Sequence, residues 1–150
     1  MGKRLDAADL KILNMLQENA RIPFSRIAEE LKLNEATIRY RFKQLMKKGV
    51  IMKLTALLNP EKIGYSTTGV ILVKTDPGLF EEAASRISDL YETYHALQTT
   101  GEYDLFAVVH THDLKHLSEL RKKVAVIPGV REVTVSATIR PIKIKTTFEL

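Results

Sequence analysis

The sequence predicts an α+β protein in which three short helices precede a strand-helix-strand-strand-helix-strand unit. Three observations predict it. Apolar residues recur every three or four positions through residues 5–49, which is the helical period. From residue 66 onward, runs of β-branched and aliphatic residues enclose two further segments of helical period. Turn signals fall between the pieces: Asn59-Pro60, Asp76-Pro77-Gly78, Gly101-Glu102 and Pro128-Gly129.

The first helix opens at Leu5-Asp6-Ala7-Ala8-Asp9-Leu10, where the Asp6 carboxylate can cap a free amide and Asp9 sits at the positive helix end. Leu5 and Leu10 flank that cap as a hydrophobic staple. Leu13, Leu16 and Ala20 continue the stripe, which Ile12 and Met15 widen. Arg21-Ile22-Pro23 breaks the helix, and Phe24–Leu31 is a second, shorter one with Pro23 at its first turn. After the interruption at Leu33-Asn34, Asn34 caps a third helix whose inner face is Ile38, Phe42 and Leu45. Gly49 followed by Val50 predicts a Schellman stop. The opposite face of this helix carries Arg39, Tyr40 and Lys43, with Lys47 and Lys48 at its end. Two short helices joined by a tight turn, the second apolar inside and cationic outside, match a helix-turn-helix. An ordinary three-helix bundle with solubilising lysines is the plainer alternative.

Val50–Leu58 is too apolar for a loose linker and reads as a strand leaving the helical part. Residues 66–75 form the next strand, centred on Val70-Ile71-Leu72-Val73. The helix that follows has Phe80, Ala83, Ala84, Ile87 and Leu90 on its inner face. Strands near 92–99 and 103–110 flank the hairpin signal Gly101-Glu102. Asp113 caps a helix with Leu114, Leu117, Leu120 and Val124 inward, and Val130–Ile139 is the last long strand, followed by an extended piece over 140–148. This order is the split βαβ, or ferredoxin-like, arrangement. Both helices cover one face of its sheet; the other face stays apolar, and a homodimer buries it at least cost.

Composition sets the outer bounds. The 150 residues are 45% hydrophobic and 27% charged, which suits one domain or two small ones and excludes disorder as the main state. No apolar run approaches the roughly 20 residues that cross a bilayer, and Met1–Leu10 holds no exporting stretch, so no membrane association and a cytoplasmic location are expected. Without cysteine there is no disulfide, thiol nucleophile or thiolate zinc site. Net charge is +5, and all of it lies in residues 1–49, where eleven basic residues face six acidic ones. A basic first third joined to a neutral remainder suggests that one part meets a polyanion, with a solvated basic face as the plain alternative; together with the helix-turn-helix it makes double-stranded DNA the expected partner. Position then assigns Arg39, Tyr40 and Lys43 to the major groove, and Ser25, Thr37, Arg41, Lys47 and Lys48 to phosphates, with a structural role for Arg41 as the alternative. Paired recognition helices in a dimer would read a palindromic operator.

No enzyme signature is present: no glycine-rich phosphate loop, nucleophile elbow, His-Glu metal motif or paired carboxylates with an obvious cleft, and no cofactor is expected. Small phosphatases share the split βαβ fold, but Ser66–Lys74 lacks the arginine that their anion loop needs. His110, His112 and His116 could in principle hold a metal, although no acidic repeat reinforces them and surface histidines explain them better. Glu102 and Asp104 bracket Tyr103 in a tight hairpin that could hold a zwitterion; on residues alone, an ordinary acidic turn is the simpler account. A metabolite-binding or protein-interaction module without a specific DNA target remains the alternative function.

Thr37–Ile51, then Leu54-Thr55-Ala56-Leu57-Leu58-Asn59-Pro60 and Ile63-Gly64-Tyr65, with Thr99-Thr100-Gly101-Glu102-Tyr103-Asp104 and Ile127-Pro128-Gly129-Val130 further on, resemble in order and spacing the leucine-responsive and asparagine regulators, the Lrp/AsnC family. The resemblance covers nearly the whole chain. It implies a winged helix-turn-helix over residues 1–50, a strand hinge over 51–64, and a βαββαβ domain over 65–150 that dimerises and often assembles into octamers. It also implies an amino-acid effector, received between dimers by the hairpin loop, which places Thr99, Thr100, Gly101, Glu102 and Asp104 in the pocket. Glu102 stands where aspartate is usual, and Val133 and Val135 stand where similar proteins often carry threonines facing the ligand. Thr134 and Ser136 fall on the opposite face if the strand alternates.

Overall fold

The computed structural model describes residues 5–150. The chain divides into two compact units, Met1–Leu57 together with Lys143–Leu150, and Leu58–Ile142.

The helical unit contains α1 (Ala7–Glu18), α2 (Phe24–Leu31) and α3 (Glu35–Lys47). The cap of α1 is a reciprocal box: Asp9 N–H donates to Asp6 Oδ1 at 2.8 Å and Asp6 N–H to Asp9 Oδ2 at 3.3 Å. Ile12, Leu13, Leu16, Ile27, Ala28, Ile38, Leu45 and Ile51 form its core, with the Phe24 and Phe42 rings 5.1 Å apart beside it. Full burial of a side chain such as Ile12, Ile27 or Ile38 contributes about 1.5–3 kcal/mol. Ala20 does not continue the stripe, because α1 ends at Glu18 and Ala20 is exposed. Between α2 and α3, Lys32 takes the left-handed conformation at φ 53°, and Leu33 N–H donates to Ala28 O at 3.0 Å. This is the closure that glycine usually makes, and lysine adopts it at a cost of about 1–2 kcal/mol. The stop of α3 is the Schellman turn expected, with Val50 N–H on Leu45 O at 3.0 Å and Gly49 at φ 69°.

The strand expected over Val50–Leu58 is not formed. Ile51 joins the helical core, whereas residues 52–58 have no strand pairing, and Met52, Leu54, Leu57 and Leu58 are exposed. A strand needs a neighbour for its N–H and C=O groups, and no described segment of this chain supplies one. For the same reason no wing hairpin follows α3 among the described residues. A single 3-10 turn, Glu61–Ile63, leads into the second unit.

That unit runs β1 (Thr67–Thr75), α4 (Phe80–Ser88), β2 (Thr93–Gln98), β3 (Leu105–Thr111), α5 (Leu114–Ala125) and β4 (Val130–Ala137). The sheet order is β2-β3-β1-β4, antiparallel throughout, which is the split βαβ topology. Burial alternates strictly along β1 and β3, so Ile71, Val73, Leu105, Ala107 and Val109 face α4 and α5, where they meet Ile87, Leu117, Leu120 and Val124. Val133 and Val135 pack against this core. Leu114 was expected inward but is 64% exposed, because it opens α5 on the side turned from the sheet. The other face of the sheet has no helix over it. Its centre is apolar, with Val70 opposite Val108 and Leu72 opposite Phe106, and it is bordered by Thr134 and Ser136 on β4.

Candidate functional site

The outer face of α3 is built by its caps. Asn34 Oδ1 accepts both the backbone N–H and the hydroxyl of Thr37, each at 2.7 Å, which sets the first turn. Ile38 and Leu45 then seal the inner face, and the helical period turns Arg39, Tyr40, Lys43, Lys47 and Lys48 outward, all exposed. The Arg39 guanidinium bonds Glu35 one turn back and lies 5.3 Å from the Phe24 ring centroid, so an exposed side chain is held near one orientation. Ser25 is exposed in the first turn of α2.

Two of the residues assigned to phosphates have other work. Arg41 Nη1 lies 2.8 Å from both Asp6 Oδ2 and Asp9 Oδ1, which ties α3 to the start of α1. The hydrogen bonds from Asp6 and then Asp9 raise the guanidinium's pKa, while the Asp9 amide and Arg41 hold the Asp6 carboxyl below its ordinary value. Arg41 is thus paired with two carboxylates of the same unit. The Thr37 hydroxyl likewise spends its proton on Asn34.

The hairpin joining β2 and β3 is closed by Thr99 N–H on Asp104 O at 2.9 Å and by the Thr99 hydroxyl on Tyr103 O. Asp104 turns back to β1, where its Oδ2 accepts Thr75 N–H at 2.7 Å and the Thr75 hydroxyl at 3.1 Å. Those bonds hold the Asp104 carboxyl below its ordinary pKa, with Arg131 and Lys74 adding in the same direction. Glu102 instead pairs with Lys74 at 2.9 Å, and Lys74 also reaches Glu132 at 3.1 Å and lies 4.9 Å from the centre of the Tyr103 ring. Thr100 and Gly101 form the open tip. The structure thus separates the two acids of the loop: Asp104 lines a recess of about 330 Å³ with Thr75, Asp76, Phe80, Gln98 and Arg131, while Glu102 belongs to the uncovered sheet face. Sequence reasoning missed Asp76, Gln98 and Arg131, which come to the recess from separate elements. Val133 and Val135 face the helices, so their apolarity belongs to the core rather than to a lost ligand contact.

The three histidines part company. His110 lies on the uncovered sheet face, with Nδ1 3.0 Å from the Thr68 hydroxyl, and burial followed by the neighbouring His95 charge lowers its pKa. His112 and His116 stack at 5.5 Å on the other side of the turn; His112 Nδ1 meets Gly64 O at 2.8 Å and His116 Nε2 meets Glu92 Oε1 at 3.1 Å. Glu92 is the unforeseen member, only 2% exposed, with Lys123 at 3.5 Å from the same oxygen. Burial pushes its carboxyl up, but the backbone amide, His116 and Lys123 outweigh that and hold it down. No group of three or more metal-ligating side chains is assembled among the described residues.

A capped helical unit with a cationic outward helix, carried on a chain whose second unit is a ferredoxin-like fold with an acid-lined recess, defines a two-part helix-turn-helix regulator. The comparisons agree: residues 5–52 match a winged helix-turn-helix DNA-binding family model, and residues 68–148 match the Lrp/AsnC ligand binding domain. The chain belongs to the Lrp/AsnC family. The HTH-type transcriptional regulator FL11 of Pyrococcus abyssi is 36% identical over 130 residues, covering 87% of this chain and 86% of that protein. Among solved structures, the regulator NMB0573 of Neisseria meningitidis in complex with L-Met superposes with a TM-score of 0.88 at 27% identity, over 97% of each chain. AsnC of E. coli shares the fold, with a TM-score of 0.90 at 22% identity over 97% of this chain and 99% of that one. DNA-binding regulation through a ligand-binding domain is therefore the activity of this family, and no described helix is long and apolar enough to cross a membrane.

Proposed function

We propose that the chain is a cytoplasmic, sequence-specific transcriptional regulator, not an enzyme, that binds a palindromic operator as a homodimer and whose DNA affinity or assembly answers to an amino-acid effector. The observation that carries this reading is the outward face of α3, where Arg39, Tyr40 and Lys43 stand exposed over a sealed apolar face while Lys47 and Lys48 extend the cationic surface to its end. Arg39 and Lys43 suit guanine edges, Tyr40 suits bases or backbone, and Ser25, Lys47 and Lys48 suit phosphates. Thr37 and Arg41 support this face from beneath through Asn34, Asp6 and Asp9.

The apolar sheet face around Val70, Leu72, Phe106 and Val108 supports the homodimer, because a second copy offers the same surface in self-complementary form. The recess beside Asp104 supports the effector. It brings acidic Asp76 and Asp104 and cationic Arg131 within one cavity, the charge pattern that complements a zwitterion, and of the loop residues Thr99, Thr100, Gly101, Glu102 and Asp104 it is Asp104 that lines it. Octamer assembly, with the hairpin between dimers, would enclose that recess.

Two measurements test the reading. On a site selected from random duplexes, Arg39→Ala costs about 1–3 kcal/mol and relaxes the preference at one base position. Equal losses on selected and random DNA would remove Arg39 from base reading, and salt-insensitive binding would favour a protein-interaction module instead. For the effector, thermal melting against the twenty amino acids yields a stabilising ligand, and Asp104→Asn abolishes the shift while leaving the acceptor for Thr75 in place. A flat panel would separate ligand sensing from DNA binding.

A further inference from the structure

The helical unit is not made of one continuous stretch of chain. Lys143–Leu150 belongs to it, although the whole of Leu58–Ile142 lies between that segment and the three helices in sequence. The attachment is specific. Phe148 N–H donates to Gln17 Oε1 at 2.6 Å, and Gln17 Nε2 donates back to Phe148 O at 3.2 Å. A primary amide is the one side-chain group that offers a neutral acceptor and donor side by side, so Gln17 presents to Phe148 what a neighbouring strand residue would. Asn14, one turn earlier on the same face of α1, donates to Leu150 O at 3.4 Å and lies 3.4 Å from Gln17 Nε2 through its own carbonyl. Phe148 remains 78% exposed, so these amide contacts hold the segment rather than deep burial. Such a grip holds one backbone position firmly and is readily released.

We propose that Lys143–Leu150 is a releasable strap, clamped by Gln17 and Asn14 of the same chain, which gives the helical unit a second point of attachment beside the connection at Leu57–Leu58. A body held at one point can swivel about it; a body held at two loses most of that freedom. The strap, docked or free, therefore sets how far the recognition helix can reorient, and because only residues 138–142 separate it from the sheet's edge strand β4, it is a covalent route by which the second unit acts on α1.

The absence of cysteine makes the test clean. Asn14→Cys with Leu150→Cys leaves the Gln17 clamp intact, and mild oxidation of the folded protein is expected to give a disulfide within one chain. Adding Gln17→Glu, which removes the donor and sets a carboxylate against Phe148 O, is expected to slow that cross-link at least several-fold without changing the melting of the helical unit. In parallel, NMR relaxation of a variant ending at Ile142 is expected to show the helical unit reorienting faster than in the full chain. A disulfide joining two chains, a cross-linking rate indifferent to Gln17→Glu, or unchanged reorientation without residues 143–150 would each overturn the proposal. None of these readouts depends on DNA or effector binding.

Discussion

Lys47→Ala combined with Lys48→Ala is expected to flatten the salt dependence of DNA binding while leaving folding untouched. Both lysines are exposed at the end of α3 and have no acidic partner among the described residues, so their charge is available to phosphates. In a dimer the double substitution removes four cations, and at about −0.9 per neutralised phosphate the slope of log affinity against log salt becomes shallower by roughly 3.6. Referred to 1 M salt, where the counterion contribution vanishes, that change corresponds to a loss of about four-thousandfold at 0.1 M. The loss falls equally on selected and random duplexes, which distinguishes it from the effect of Arg39→Ala. A filter-binding or anisotropy titration at four salt concentrations measures it, and an unaltered slope would move the DNA face away from the end of α3.

Gly129→Ala is expected to be among the most damaging single substitutions in the second unit. Gly129 sits at φ 86°, where an L side chain is strained, and an added Cβ would stand 2.6 Å from Leu79 Cβ and 3.0 Å from Leu79 O. Leu79 precedes α4 and cannot retreat freely, because the same turn carries the Asp76 N–H bond to Gly129 O at 2.9 Å. Backbone strain of about 1–3 kcal/mol and overpacking of a similar size give a loss of about 3–5 kcal/mol, a large share of the stability of a small domain. Urea unfolding monitored by far-UV circular dichroism reads it directly. Gly101→Ala is the control: nothing lies within 4 Å of its added Cβ, and a change within about 0.5 kcal/mol is expected.

The parts of the fold that were legible in the sequence are those written in local chemistry. Asp6, Asn34 and Asp113 announce three helix starts, and each carboxylate or amide accepts the amide three residues on. Gly49 announces the end of α3 by its left-handed backbone. Strand alternation along β1 and β3 was equally plain, since one face must be apolar to meet α4 and α5. What escaped were matters of pairing between distant residues. Residues 50–58 have strand composition, but composition cannot say whether a neighbouring strand exists, and among the described residues none does. Arg41 and Lys43 carry the same charge in the sequence, and only the approach of α1 shows that the first is paired with Asp6 and Asp9. Val133 and Val135 could be placed on one face of β4 from their spacing, whereas which face that was depended on the register with β1. Glu92 lay in a polar-looking stretch, and its burial follows from the way His116 and Lys123 on α5 close over it.

The return of Lys143–Leu150 to α1 has a consequence for biosynthesis. The three helices emerge from the ribosome before the second unit does, and their core of Ile12, Ile27, Ile38 and Leu45 contains no described residue from beyond Ile51, so it can assemble at once. The strap is translated only after all of Leu58–Ile142, several seconds later at roughly 5–20 residues per second. During that interval the nascent polypeptide already exposes a cationic helix with the one restraint of its forward linker. The attachment of Lys143–Leu150 to α1 is therefore completed only after the whole of the second unit has been made.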